Sequence, residues 1–254
     1  MKISIRSDWN SSESAILGDI SFSTMGTQAF NNGARWGVPI VDYSQPLKTH
    51  FLYIAGALIR SNESNSSDRH EIIKNNSVDE NALYNLYERR LLPGLLVQNA
   101  HAKQENVRLV INIPGVGCGQ FVDDDYRAPI RAALARVLKK LFIQHAEKLD
   151  MVHTVNFDPF SPLENDEFST LKIDNSEMRL IYRPYQSLPL KEKASVLEFP
   201  KDGEDYSNCR LLKVVAWDHF SYPGNDIWEN EGVTHGGGRG TDDGVSFASS
   251  DAIL

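Results

Sequence analysis

Apolar and polar positions follow two different periods along this chain, and each change of period marks an element. Residues 107–113, Val-Arg-Leu-Val-Ile-Asn-Ile, are short, β-branched and closed by Pro114-Gly115, which predicts a strand. The apolar run at 211–217 and the stretches 152–157 and 178–182 predict three more, and Ile3-Ser4-Ile5 and residues 15–20 alternate like strands near the start. Residues 52–59 are apolar throughout, and period alone leaves them open between a strand and a buried helix. Helical spacing takes over at Leu83, Leu86, Tyr87 and Leu91 within residues 80–102, where Pro93-Gly94 predicts an end or a kink and hence a helix in two parts. Ile130, Leu134, Val137, Leu138, Leu141 and His145 trace one face of a long helix. The acids Asp123, Asp124 and Asp125 at its start, Pro129 in an early turn and Lys148 near its end would complement its dipole. Residues 241–254 predict a closing helix behind Thr241, while 30–37, 61–79 and 184–208 read as loop or connecting chain. Strands alternating with helices at this spacing imply a three-layer α/β fold with a central mixed, mostly parallel sheet flanked by helices. The expectation is a single domain, residues 1–254, with surface excursions near 61–79 and 229–240.

Composition narrows the classes. At 254 residues and 41% hydrophobic content the chain can bury a substantial core. Its 26 basic and 34 acidic side chains give a net charge of −8, which argues against nucleic acid or an anionic membrane as the main partner and is compatible with a basic protein. Cys118 and Cys209 cannot build a disulfide framework and have no C-x-x-C neighbour, so the chain reads as a reduced, cytoplasmic protein. Residues 1–10 carry a charge but no apolar region follows, and no run is long enough to span a bilayer. If the protein is exported, the expectation is a route other than a cleaved Sec signal, with the host cytoplasm as its destination.

Two constellations could carry chemistry. The first is Pro114-Gly115-Val116-Gly117-Cys118-Gly119-Gln120-Phe121, between a predicted strand and a predicted helix. Glycines at alternate positions let successive backbone N–H groups turn toward one anion. The loop lacks the Gly-Lys-Ser/Thr of a Walker A motif and the strict G-x-G-x-x-G spacing, and a plain packing turn is its other reading. Asp123, Asp124 and Asp125 would repel an anion from the helix start, so the loop backbone would have to make the contact. The same acids would raise the pKa of Cys118, which reads as a packing residue and not as a nucleophile.

The second constellation is acidic: Asp218 at the end of the apolar run 211–217, Asn225 and Asp226 in a Pro-Gly turn, and Asp242 and Asp243 behind Thr241. Chemistry at a glycosidic carbon needs one carboxyl to support the leaving group and another to orient or deprotonate water. Each acid also has an ordinary explanation, as a strand-end cap, a turn residue or a first-turn helix acid. His219 and His235 beside them leave a metal-dependent hydrolase open, although no recognised ligand spacing appears. Trp217, Phe220, Tyr222, Trp228 and Phe121 could stack on an adenine or simply fill the core.

A strand entering P-G-V-G-C-G-Q-F resembles the phosphate loop of macrodomains and poly(ADP-ribose) glycohydrolases. The segments W-D-H-F-S-Y-P-G-N-D and T-D-D-G are similar to those of the atypical macrodomain group typified by MavL, whose type member removes ADP-ribose from an arginine of ubiquitin. The resemblance is strongest from Val107 on. It implies a macrodomain-like fold and a hydrolase that cleaves the N-glycosidic bond between ribose and an arginine guanidinium, with Asp218, Asp226 and Asp243 catalytic. It also implies that Gly115, Val116, Gly117, Cys118, Gly119, Gln120 and Phe121, with Asn225 and Asp242, bind the ligand. No cofactor or metal is implied. The implied partners are ADP-ribose and an ADP-ribosylated protein, with ubiquitin the one the resemblance points to. Gly18-Asp19-Ile20 and Asn31-Asn32-Gly33 match the macrodomain adenine motifs only partly, and residues 229–240, with Gly236-Gly237-Gly238, exceed the family's length there. A non-catalytic ADP-ribose-binding module of the same fold is the alternative.

Overall fold

The computed structural model describes residues 22–29, 47–60, 66–119, 121–158, 171–172, 176–182 and 204–217. Its strands are β1 (Phe22–Ala29), β2 (Leu47–Ala55), β3 (Ile73–Lys74), β4 (Ser77–Val78), β5 (Arg108–Pro114), β6 (Val152–Asp158), β7 (Leu171–Lys172), β8 (Arg179–Tyr182) and β9 (Cys209–Trp217). Seven of them form one sheet in the order β1-β2-β9-β5-β6-β8-β7, and β3 and β4 make a separate hairpin. The five central strands are mutually parallel, and β1 and β7 add antiparallel edges. This is the mixed, mostly parallel sheet, flanked by helices, that the alternation of elements implies.

The apolar stretch 52–59 proves to be strand as far as Ala55, with Leu52, Tyr53 and Ile54 all buried. Parallel strands covered on both faces lose their alternation, which is why period could not separate strand from helix there. β1 was not predicted at all. Its register against β2 shifts between Thr24 and Thr27, and a bulge of that kind breaks the two-residue period the sequence would otherwise display.

The faces of the sheet separate by parity. Leu52, Ile54, Leu109, Ile111, Ile113, Val155, Phe157, Leu180, Leu212 and Val214 share one core with helices α2 (Glu80–Gln104) and α3 (Asp124–Gln144). Phe51, Tyr53, Val110, Ile181 and Leu211 are buried on the other side. Across the middle of that second face Lys213, Asn112 and Asn156 lie in register on adjacent strands. Asn112 and Asn156 are buried, and both side-chain amide atoms of Asn112 and the Oδ1 of Asn156 have no partner among the described residues.

Three helical expectations change. Residues 80–102 do not form two pieces, because α2 is one helix of 25 residues with Pro93 inside it. Pro93 is exposed, so the carbonyl it leaves unbonded can turn to water, and Gly94 is a contact point: a Cβ there would overlap Leu52 of β2. Nor is the polar stretch 61–79 a loop where it is described. Helix α1 (Ser67–Ile72) is capped by Ser66, whose hydroxyl accepts from the Arg69 amide, and Asn75 and Asn76, with φ of 50° and 58°, turn the β3-β4 hairpin. Asp79 then caps α2 by accepting from the Asn81 and Ala82 amides. The polar letters are caps and turns. Finally, α3 ends at Gln144 with no basic residue in its last turn, and Lys148 lies beyond it in a 3-10 turn, Ala146–Leu149.

The predicted strands near residues 3–5 and 15–20, the loop at 30–37 and the helix at 241–254 lie outside the described residues.

Candidate functional site

Neighbouring parallel strands bring their carboxyl ends to one edge, and in open α/β sheets that edge is where ligand crevices form. Here β2, β9 and β5 end together. Trp217, the last residue of β9, is in register with Ala55, the last of β2, and the glycine loop leaves β5 at Pro114. Asp218 is the next residue after Trp217 in sequence.

The loop makes its turns from its own backbone. The Val116 N–H donates to the Pro114 carbonyl at 2.7 Å and the Cys118 N–H to the Gly115 carbonyl at 2.9 Å. Gly117, at φ +78°, occupies the third position of the second turn, where left-handed backbone demands glycine. Alternate amides are thereby used up inside the loop. Those of Gly117 and Gly119 have no acceptor among the described residues, which is the arrangement of a backbone anion cradle. Gly119 is exposed and a Cβ there would meet nothing within 4 Å, so packing does not require glycine at that position.

The cradle rests on the end of β2. A Cβ on Gly56 would overlap the Gly117 backbone nitrogen, and one on Gly117 would come within 2.7 Å of the Tyr87 hydroxyl and 2.8 Å of the Ala57 nitrogen. Two glycines thus allow two backbones to touch. The Tyr87 hydroxyl, from α2, donates to the Val116 carbonyl at 2.6 Å and accepts from the Ala57 N–H at 3.4 Å. Farther along, the Ile59 N–H donates to the Phe121 carbonyl at 2.6 Å and Ile59 bridges in parallel to Val122, which pins the loop exit.

Beneath this ledge lies a buried ion pair. The Arg90 guanidinium forks onto Asp68 at 2.8 and 3.0 Å, with the two side chains only 2% and 6% exposed. Asp68 also accepts the Leu58 N–H at 3.0 Å, Arg90 reaches the Gly56 carbonyl at 3.4 Å, and the Ser66 hydroxyl donates to the Leu58 carbonyl at 2.7 Å. The Gly56 carbonyl, the Ala57 N–H and both backbone groups of Leu58 therefore have fixed partners.

The acids at the start of α3 are less hostile to an anion than their number suggests. Asp123 makes no side-chain cap and sits 3.4 Å from Arg69, while Asp124 pairs with Arg127 at 2.7 Å. Arg131, one turn further, is close enough to Cys118 to favour its thiolate, and its buried Nε has no acceptor among the described residues. Burial nevertheless dominates at Cys118 and pushes its thiol up to about 12. The direction is the expected one, but the cause is desolvation and not the neighbouring acids, and the thiol stays protonated.

Gly115, Val116, Gly117, Cys118, Gly119 and Phe121 are thus gathered in one turn structure against β2 and α2. Gln120, Asn225, Asp242 and the three aspartates Asp218, Asp226 and Asp243 lie outside the described residues, as do Asp19, Asn31, His219 and His235. A family model described as macrodomain effector MavL matches residues 3–254. The chain belongs to the MavL macrodomain effector family. Membership in the MavL family ties its function to ADP-ribose, bound or hydrolysed. No curated protein matches the chain at a significant level.

Sequence reasoning missed the residues under the loop. Arg90 carried a signal, a charge placed among Leu83, Leu86, Tyr87 and Leu91 on an apolar face. Asp68 carried none, since every residue from 61 to 71 is polar.

Proposed function

We propose that this protein is an ADP-ribosyl-arginine hydrolase, removing ADP-ribose from an arginine of a modified protein, with ubiquitin as the first substrate to try. The observation that carries the reading is the pair of amides at Gly117 and Gly119 that have no acceptor among the described residues, held at the carboxyl edge of the sheet one strand away from the end of β9. The cradle takes the diphosphate. Asp218, Asp226 and Asp243 then supply the carboxylates that an N-glycosidic cleavage needs, to orient water, to support the oxocarbenium-like carbon and to hold the leaving group. A carboxylate pairs bidentately with a guanidinium, so an acidic site suits an arginine-linked substrate better than an ester-linked one. The reaction would take place in the cytoplasm, the host's if the protein is exported.

Incubation with an arginine-ADP-ribosylated protein tests this directly. The expected result is release of free ADP-ribose, retained in excess chelator and lost in Asp226→Ala and Asp243→Ala. No release by the intact protein would sink the hydrolase reading. A second reading, a non-catalytic ADP-ribose binder, is favoured by one observation: the titratable groups of the cradle itself, Cys118 and Tyr87, are both kept protonated by burial and offer no base. Tight ADP-ribose binding without release would establish it.

A further inference from the structure

The Val116 carbonyl and the Gly117 N–H belong to one planar trans peptide unit, so they point in opposite directions. Whatever holds the carbonyl therefore aims the amide. The Tyr87 hydroxyl holds it at 2.6 Å, from the side of α2, and is itself fixed by the Ala57 N–H of the β2 terminus at 3.4 Å. Tyr87 is 1% exposed, so no water competes for the bond. Burial also drives the phenol well above its ordinary range, which keeps the hydroxyl a donor at every working pH. Gly56 packs against the Gly117 nitrogen, and a Cβ there would fall 2.4 Å from it, so only a glycine leaves that peptide unit its place.

We propose that Tyr87 is a positioning residue for anion recognition: by holding the Val116 carbonyl it turns the Gly117 amide away from its own hydroxyl, toward the diphosphate. The proposal rests on the reading of the loop as the ADP-ribose diphosphate site. It adds that the site's geometry is set by a side chain 29 residues before Val116 in sequence that never touches the ligand. Preorganised amides matter because an amide that must first turn loses part of what the contact contributes.

Tyr87→Phe keeps the ring and removes only the hydroxyl. ADP-ribose affinity, measured by calorimetric titration, should fall roughly ten- to a hundredfold, the worth of a charge-assisted hydrogen bond. Affinity for adenosine, which lacks the diphosphate, should stay the same. A hydroxyl that served stability alone would weaken both ligands in step, and an equal loss, or none for ADP-ribose, overturns the proposal. A measurement on the unaltered protein guards against a variant that fails to fold. The Gly117 amide resonance should shift on titration with ADP-ribose and with inorganic pyrophosphate. If ADP-ribose binds while Gly117 stays still, the positioning role falls and the ADP-ribose reading survives. If nothing binds, both fall.

Discussion

Helix α2 carries polar groups on two adjacent faces, and they serve different ends. On one face Tyr87 and Arg90 are buried and reach backbone atoms of Ala57, Gly56 and Val116. On the other, Tyr84 and Glu88 meet side chains around the end of α3. The Tyr84 hydroxyl donates to Glu88 at 2.6 Å and lies 3.0 Å from the Gln144 side-chain amide, His145 lies 2.7 Å from Glu88, and the Lys140 ammonium sits 4.4 Å from the Tyr84 ring. Partners made of backbone fix a geometry, because the peptide plane cannot adjust, whereas partners made of side chains can repack. The first face therefore shapes the ledge under the cradle. The second fastens one helix to another and responds to pH.

The sharpest way to break this contrast is Asp68→Asn, which strands the Arg90 charge in the interior. Loss of one partner of a buried pair costs about 3–5 kcal/mol, and urea denaturation should show a drop of that size. Gly117→Ala comes next. A side chain at φ +78°, pressed against Tyr87 and Ala57, should cost about 1–3 kcal/mol and abolish measurable ADP-ribose binding. A variant that binds normally would show that the ledge does not set the site. Glu88→Gln, on the other face, should cost under about 1 kcal/mol at neutral pH and leave ADP-ribose affinity alone.

The pH dependence of that third variant has a definite sign. Hydrogen bonds from Tyr84 and then His145 hold the Glu88 carboxyl below its ordinary 4.5 in the fold. A carboxyl depressed in the folded state contributes stability that is present above its unfolded value and lost as pH falls through the folded one. The gap between wild type and Glu88→Gln should thus be full near neutrality and close below about pH 4.5, as thermal melts across the acid range would reveal. Smallest of all should be Gly119→Ala, within about 0.5 kcal/mol, since its position is open. The same loop would then hold one glycine required by its geometry and one that geometry leaves free.

Much of the frame was legible in the chain because burial writes itself into letters. β5, with five consecutive buried residues, and the face of α2 from Leu83 to Leu91 follow from apolar spacing alone. The glycine loop was legible because alternate glycines have few other uses. What could not be read depends on distance in space: Asp68 looks like any loop acid until Arg90 is brought to it, and Pro93-Gly94 looks like a break until Leu52 fills the place of a side chain. The 66–79 stretch misled for a related reason, since Ser, Asn and Asp write caps and turns in the same alphabet as loops.

The contact of Gly56 with Gly117 has a kinetic consequence. Tyr87 stands 30 residues after Ala57 and 29 before Val116, so neither bond can form by a local closure, and both await the docking of α2 on the sheet. During refolding, helix content should therefore recover before ADP-ribose binding does. Capture of the nucleotide would then time-stamp the last stage of assembly, making the ligand a clock for the fold.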